Sequence, residues 1–200
     1  HGFGMLCVAA TQAGGYDALA VNWDIANKTA AENGRTMDPN RLRLVGPVHI
    51  AETREKAFEN CKYGFEQWRN YFSGISAVAG RETTENRALE TLVEEGVAVV
   101  GTPDDAVVQI QRLQKKQGEF GCFLQLAHNW ADFDNTKKSY ELWQRHVTPV
   151  IHGANTARET ALNWAKDNKD RFIGAAINAA MQTIQKHHED EAKKTSKAAE

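Results

Sequence analysis

The strongest constraint on this chain is an alternation of apolar, strand-length segments with amphipathic helices. Three segments predict buried β-strands: residues 4–10, residues 41–50 and residues 120–127. Each is followed by a stretch in which apolar residues recur at helical spacing. Strand–helix alternation is typical of a parallel sheet whose crossover helices cover its faces. The predicted fold class is therefore α/β.

The predicted sheet is too small to be complete. Three strands cannot close a barrel, and strands that are apolar throughout need cover on both faces. The sequence of 200 residues therefore predicts part of a larger sheet. Expressed alone, we expect such a segment to aggregate or associate through its exposed strand edges.

Local signals predict where several elements begin and end. Pro47 lies inside the second strand, where the loss of a backbone donor indicates a bulge or a strand end. Thr53 is the predicted N-cap of one long helix that continues to about residue 72. Residues 97–100 form a short apolar stretch without the length of a confident strand. Thr102 and Pro103 predict the start of the next helix.

Composition excludes several classes of partner. The formal net charge is -2 and the sequence pI is near 6.4, so no overall field favours nucleic acid or an anionic membrane. Three cysteines, Cys7, Cys61 and Cys122, are too few for a disulfide framework and lack metal-ligand spacing. We expect reduced thiols, a cytoplasmic protein and no bound metal.

The best candidate site is the tripeptide His128-Asn129-Trp130, directly after the third predicted strand. In parallel α/β folds, functional residues lie beyond the carboxyl ends of strands. An imidazole there can bind a ligand carbonyl or relay a proton, and an indole can stack on a planar ring. The alternative is structural, with Trp130 packing the rim and the other two residues capping the loop. His49 lies near the end of the second strand, and we expect it to be a hydrogen-bonded residue within the sheet rather than a ligand.

No nucleotide-binding glycine motif, nucleophile motif or zinc pattern occurs in the sequence. Cys7 and Cys122 lie in apolar strands, where a free cysteine behaves as a small hydrophobic residue. Motifs alone therefore lead only to a partial parallel α/β domain.

Several segments, taken in order, carry a family resemblance. They are residues 1–6, 13–19, 43–57, 101–105 and 123–131, with an extension over residues 161–185. Together they resemble the bacterial luciferase-like flavin-dependent monooxygenases, in particular the limonene-monooxygenase-like branch. No single segment is diagnostic, and the specificity lies in the ordered set.

The resemblance implies a particular place in a larger fold. The three strands would be about the sixth to eighth of a (β/α)8 TIM barrel, which makes this chain its C-terminal part. Residues 1–152 would belong to the barrel, residues 153–188 to a helical C-terminal extension, and residues 189–200 to a charged, disordered tail. Most of the residues that the family uses around the flavin would then lie outside this chain, which alone would be inactive.

The resemblance also implies a cofactor and partners. Family members bind reduced FMN, which a separate flavin reductase supplies, and use dioxygen to oxygenate a small organic substrate; homodimers are common. Four positions match the expected cavity: Thr11 after the first strand, and His128, Asn129 and Trp130 after the last. A deazaflavin is the less favoured cofactor.

Two other hypotheses remain open from the sequence. One is a non-catalytic flavin-binding or scaffold remnant of the same fold. The other is an unrelated α/β-barrel lyase or isomerase, which would bind no flavin.

Overall fold

The computed structural model describes residues 2–75 and 87–197. The chain divides into two compact units, His1–His152 and Gly153–Glu200. The first unit is an α/β fold with a parallel sheet, which confirms the predicted fold class.

The elements of the first unit alternate as the sequence predicts. In chain order they are β1 (Met5–Cys7), α1 (Ala13–Glu32), β2 (Leu42–Ile50), α2 (Arg54–Cys61), α3 (Phe65–Ile75), α4 (Leu89–Glu94), β3 (Val99–Gly101), α5 (Pro103–Gln117), β4 (Cys122–Leu126), α6 (Phe133–Leu142) and α7 (Thr148–Ile151). A 3-10 turn precedes β2, and a turn of π-helix joins α6 to α7.

β2 is the centre of the sheet. Its first half pairs in parallel with β1 and β4, so that Leu44 lies beside Cys7 and Phe123. Its second half pairs in parallel with β3, where Val48 lies beside Val99. Because side chains alternate along a strand, paired residues share one face of the sheet.

One face of the sheet packs against helices α1 and α5. Leu42 and Leu44 contact the buried residues Leu19 of α1 and Leu113 of α5. Farther along the same strand, Val48 and Ile50 belong to a second cluster. Its other buried members are Val99 of β3, Ala106 of α5 and Val147 of the π-helical turn.

The opposite face is covered only near the carboxyl end of β2. There Ala51 and Val100 pack with Cys61 of α2, Leu92 of α4 and Trp130. This third cluster positions the candidate site, because it joins the end of β2 to the loop that follows β4.

Three predictions about the strands are wrong. The structure has four strands instead of the predicted three. Residues 99–101, at the end of the short apolar stretch, pair with β2 and form the additional strand. β1 is shorter than the predicted residues 4–10 and spans only Met5–Cys7. β2 continues through Pro47 without a bulge. β1 pairs with β2 only as far as Leu44 and β3 begins to pair at Val48, so the backbone donor that proline lacks falls in the gap between these two strands.

The single helix predicted from Thr53 to about residue 72 is also wrong. It is divided into α2 and α3 by a turn at residues 62–64. A Cβ atom built on Gly64 would lie 1.8 Å from the carbonyl oxygen of Asn129. The break therefore brings the chain close to the loop after β4, at a distance that only glycine permits.

The second unit is helical. It contains α8 (Thr156–Asp167), a π-helical turn at Asp170–Gly174 and α9 (Ala175–Lys197). The rings of Trp164 and Phe172 contact each other, with 5.4 Å between their centroids. α9 continues through residues 189–197, where the composition predicts disorder; residues 198–200 lie outside the described chain.

Candidate functional site

The candidate site lies where β2 and β4 end, as expected for a parallel sheet. β4 pairs with β2 as far as Leu126, which lies beside Pro47. Beyond this point the side chain of His128 continues the contact, since its Nε2 lies 3.1 Å from the carbonyl oxygen of Val48. An imidazole thus occupies the place where the backbone ladder stops.

The hydrogen bonds of His128 define its protonation. The backbone N–H of Trp130 donates to its Nδ1 at 3.3 Å, so Nε2 carries the proton and donates to the Val48 carbonyl. The pKa of His128 is lowered to about 4, first by burial and then by the neighbouring His49 imidazole. At neutral pH the ring is uncharged and both of its nitrogens are engaged.

Trp130 lies in an aromatic cluster. Its indole stacks on the His128 imidazole, with 4.1 Å between ring centroids and an interplanar angle of 20°. Phe65 and Trp68 of α3 meet it edge-on, each at 5.1 Å. The side chain is fully buried, and its Nε1–H has no hydrogen-bond partner within the described residues. The indole therefore holds α3 against the loop and offers no open face to a ligand here.

A fully buried histidine lies beside the half-buried His128. His49 of β2 is 1% exposed, and its Nε2 accepts a hydrogen bond from Nδ2 of Asn60 in α2 at 3.1 Å. Burial lowers the pKa of His49 to about 4, and the charge of Asp132 partly opposes this change. The expectation of a hydrogen-bonded histidine within the sheet is confirmed.

Asn129 differs from its two neighbours because its side chain is exposed. Its backbone is fixed on both sides, by the close approach of Gly64 to its carbonyl oxygen and by the N–H of Gly64 donating to the Trp130 carbonyl at 3.0 Å. The exposed side chain is thus held at the carboxyl edge of the sheet.

Thr11 is not brought together with the other three predicted residues. It is 3% exposed and its methyl group packs over Gly46, where a Cβ would lie 2.7 Å from Thr11 Cγ2 and 3.0 Å from Phe123 Cζ. Phe123 faces the clusters formed with α1 and α5. Thr11 therefore packs on the helix-covered side of β2.

Sequence reasoning missed Asn60 and Gly64. Asn60 lies on the apolar stripe of a predicted helix, where a buried amide signals a polar partner such as His49. Gly64 inside a helical pattern signals a break or a close backbone contact. Both residues fix the site from α2 and from the turn that follows it.

The site has no group prepared for acid–base chemistry at neutral pH. Both histidines are uncharged and hydrogen-bonded, and Trp130 is enclosed. Across residues 2–75 and 87–197, no cluster of three His, Cys, Asp or Glu side chains could hold a metal ion. Nor does any helix in that part of the chain have the length and apolarity of a membrane span. Within this chain the site offers polar contacts and a rigid scaffold.

Comparison with known proteins shows which class of protein the chain is similar to. No family model matches the chain. Over 191 residues, 96% of its length, the chain is 37% identical to limonene 1,2-monooxygenase of Rhodococcus erythropolis and covers 49% of that protein. It is also 32% identical over 153 residues to 4-hydroxyprotoasukamycin monooxygenase of Streptomyces nodosus subsp. asukaensis. That alignment covers 76% of this chain and 41% of the relative. The chain spans about half the length of the curated relatives that it matches.

Solved structures agree. The oxygenating constituent of 3,6-diketocamphane monooxygenase from Pseudomonas putida, a type II Baeyer–Villiger monooxygenase in complex with FMN, aligns with a TM-score of 0.51 at 27% identity. The alignment covers 66% of this chain and 40% of that structure. A monooxygenase from Streptomyces bottropensis shares the fold, with a TM-score of 0.58 at 21% identity. That alignment covers 75% of this chain and 42% of the Streptomyces structure.

The parallel sheet and these relatives define the class of protein: the chain is a homologue of the luciferase-like monooxygenases. Within that class, it is a homologue of limonene 1,2-monooxygenase over nearly its whole length.

Proposed function

We propose that this chain is the carboxyl-terminal part of a flavin-dependent monooxygenase that oxygenates a small organic substrate. The observation that carries the proposal is the 37% identity to limonene 1,2-monooxygenase over 96% of the chain. Residues 1–152 would then contribute the last strands of a (β/α)8 barrel, with the helical extension following them.

The cofactor that we propose is FMN, which the structural relative from Pseudomonas putida holds. Reduced FMN, when bound, supplies the two electrons with which dioxygen delivers one oxygen atom to a substrate and the other to water. The described residues fit this cofactor only in part. Asn129 presents an exposed amide at the carboxyl edge of the sheet and would contact flavin or substrate.

His128 and Trp130 would act as positioning residues. Both imidazole nitrogens are used within the chain and the indole is enclosed, so their role is to fix the loop that presents Asn129. Thr11, buried over Gly46, would support the sheet rather than contact the cofactor. The remaining flavin contacts would come from the half of the relatives that this chain does not match.

The proposal includes a supply of electrons and an assembly. A relative described as an oxygenating constituent implies a second constituent, and we propose a separate flavin reductase in that role. A homodimer would be the working assembly, as the family resemblance implies.

The experiment is a titration with FMN, followed by quenching of flavin fluorescence. It compares this chain alone with the chain joined to the unmatched half of limonene 1,2-monooxygenase. We expect saturable binding only by the joined protein. A folded joined protein that binds neither oxidised FMN nor reduced FMN, the latter titrated without oxygen and followed by tryptophan fluorescence, would contradict the assignment.

The non-catalytic alternative predicts a different pair of results. A scaffold remnant, once joined, would bind oxidised FMN, and all the oxygen consumed with NADH and a flavin reductase would still leave as hydrogen peroxide. Formation of an oxygenated product by the joined protein, with a matching fall in hydrogen peroxide, would exclude this alternative.

A further inference from the structure

Helix α9 has an exposed apolar side. Ile177, Met181 and Ile184 are 50%, 64% and 57% exposed. No side chain of α8 is buried, and none of α9 is buried as far as residue 194. A helix in water owes most of its stability to the packing of its apolar side against another element. The second unit therefore presents an apolar surface that a partner can bury.

The exposed residues form one continuous stripe. Because residues three and four positions apart lie on the same side of a helix, Ile177, Ala180, Met181 and Ile184 share one side of α9. Ile173, four residues before Ile177, is 52% exposed in the preceding π-helical turn. We call these five residues the apolar stripe.

The charges of the second unit lie at the two ends of this stripe. No charged residue occurs between Arg171 and Lys186. Residues 166–171 carry three positive and two negative side chains, whereas residues 186–191 carry one positive and three negative side chains, with histidine neutral. The two ends therefore have net charges of opposite sign.

This distribution favours a second copy of the chain in the antiparallel direction. An antiparallel pair would place residues 166–171 of one copy beside residues 186–191 of the other, where opposite net charges attract. A parallel pair would place each charged end beside the same end of the other copy, where the net charges repel. With the uncharged residues 172–185 of the two copies aligned, Ile173 would lie opposite Ile184 of the other copy, and Lys166 opposite Glu191.

A lipid surface fits the stripe less well. Helices that lie on a membrane surface carry an excess of Lys and Arg on their polar side. Residues 166–191 carry four positive and five negative side chains, so no positive field draws this part of the chain to anionic lipid.

We propose that the apolar stripe is the surface through which two copies of this protein pair in the antiparallel direction. A two-fold axis then relates the copies, and each stripe buries the other. The inference rests on the homodimer of the proposed function and names the surface that joins its two copies. The candidate site and the flavin take no part in it.

The first test places one negative charge on the stripe or away from it. Ile184→Asp introduces the charge on the stripe, and Gln182→Asp introduces it on the opposite side of the same helix. Both variants are made in the chain joined to the unmatched half of limonene 1,2-monooxygenase, and association is measured by analytical ultracentrifugation. We expect the dissociation constant of the dimer to rise at least about tenfold with Ile184→Asp and less than about twofold with Gln182→Asp.

A charge exchange tests the direction of pairing and does not touch the stripe. Lys166→Glu and Glu191→Lys each place like charges opposite each other in the antiparallel pair, so each alone should raise the dissociation constant about threefold at low salt. The two together restore opposite charges and should return the dissociation constant to within about twofold of the original. Effects that add up in the double variant would overturn the antiparallel arrangement.

Two results would overturn the proposal as a whole. A dimer that Ile184→Asp leaves intact would pair through another surface. A joined protein that stays monomeric would leave the stripe without a second copy. Binding of that monomer to phosphatidylcholine vesicles, lost with Ile184→Asp, would assign the stripe to a lipid surface instead.

Association is measured without flavin or substrate. A monomer that oxygenates a substrate would therefore contradict the pairing of the stripes and leave the monooxygenase assignment intact. A dimer that Ile184→Asp dissociates, but that forms no oxygenated product, would contradict the proposed function alone.

Discussion

Gly64 lies so close to the carbonyl oxygen of Asn129 that a Cβ on Gly64 would be 1.8 Å from it. The N–H of Gly64 also donates to the carbonyl of Trp130 at 3.0 Å. The turn between α2 and α3 and the loop after β4 are therefore fitted to each other through backbone atoms. This contact determines where the exposed Asn129 amide is held.

Replacing Gly64 by alanine forces these two segments apart. We expect Gly64→Ala to lower the free energy of unfolding by about 1–3 kcal/mol, as overpacking does. The measurement is urea unfolding followed by tryptophan fluorescence, since Trp68 and Trp130 flank the contact. Gly14→Ala in α1 is the matched control, because a Cβ there meets no atom within 4 Å. Equal losses for the two variants would contradict the close contact.

Acid should destabilise the fold through the two histidines of the site, His49 and His128. The pKa values of His49 and His128 are about 4 in the folded chain against an ordinary 6.5, so the unfolded chain binds protons first. Their contribution is complete above pH 6.5 and is lost as the pH falls toward 4. Each histidine adds a slope of at most about 1.4 kcal/mol per pH unit within this window.

The variant His49→Gln tests this pH dependence, because a glutamine oxygen can still accept from Asn60 but does not titrate. Unfolding free energies are compared at several pH values between 7.5 and 5. We expect the slope to fall by about one proton in the variant. An unchanged slope would show that His49 does not cause the acid sensitivity.

The start of α5 supports a prediction at lower pH. Asp105 completes a capping box with Thr102 and forms an ion pair with Arg54. The Arg54 hydrogen bond, above all, lowers the pKa of Asp105 to about 2 from an ordinary 3.8. Stability from this carboxylate is therefore present above pH 3.8 and is lost as the pH falls through 2. Asp105→Asn should remove this dependence and cost about 1 kcal/mol at pH 7 in thermal unfolding.

A substitution at Asn129 distinguishes a role in FMN binding from a role in stability. We expect Asn129→Ala to weaken FMN binding by the joined protein about threefold to tenfold, the loss of one hydrogen bond. Its melting temperature should stay within about one degree, because the side chain is exposed. Asn163→Ala, at an exposed position of α8, is the control and should change neither quantity. A fall in melting temperature without a change in binding would assign Asn129 a structural role.

The sequence predicted the periodic parts of this fold and missed its contacts across the chain. β2 and α5 were predicted because their apolar pattern and the Thr102–Pro103 start are local signals. β3 was missed because three residues carry too little pattern, and only pairing with β2 makes them a strand. The α2–α3 break was missed because its cause, the Asn129 carbonyl, lies 65 residues away from Gly64 (129 − 64).

The candidate site was predicted in position but not in detail. His128, Asn129 and Trp130 could be placed at a strand end from their order in the chain. The enclosure of the Trp130 indole depends on Phe65 and Trp68 of α3, which no local pattern connects to it.

The most direct test of the account is the incorporation of oxygen from ¹⁸O₂. The chain joined to the unmatched half of limonene 1,2-monooxygenase is supplied with FMN, NADH, a flavin reductase and each of a panel of small organic substrates that includes limonene, and the products are analysed by mass spectrometry. We predict a product that carries one ¹⁸O atom, formed by the joined protein and not by either half alone. A folded joined protein that forms no labelled product, while intact limonene 1,2-monooxygenase does, would contradict the assignment as a monooxygenase.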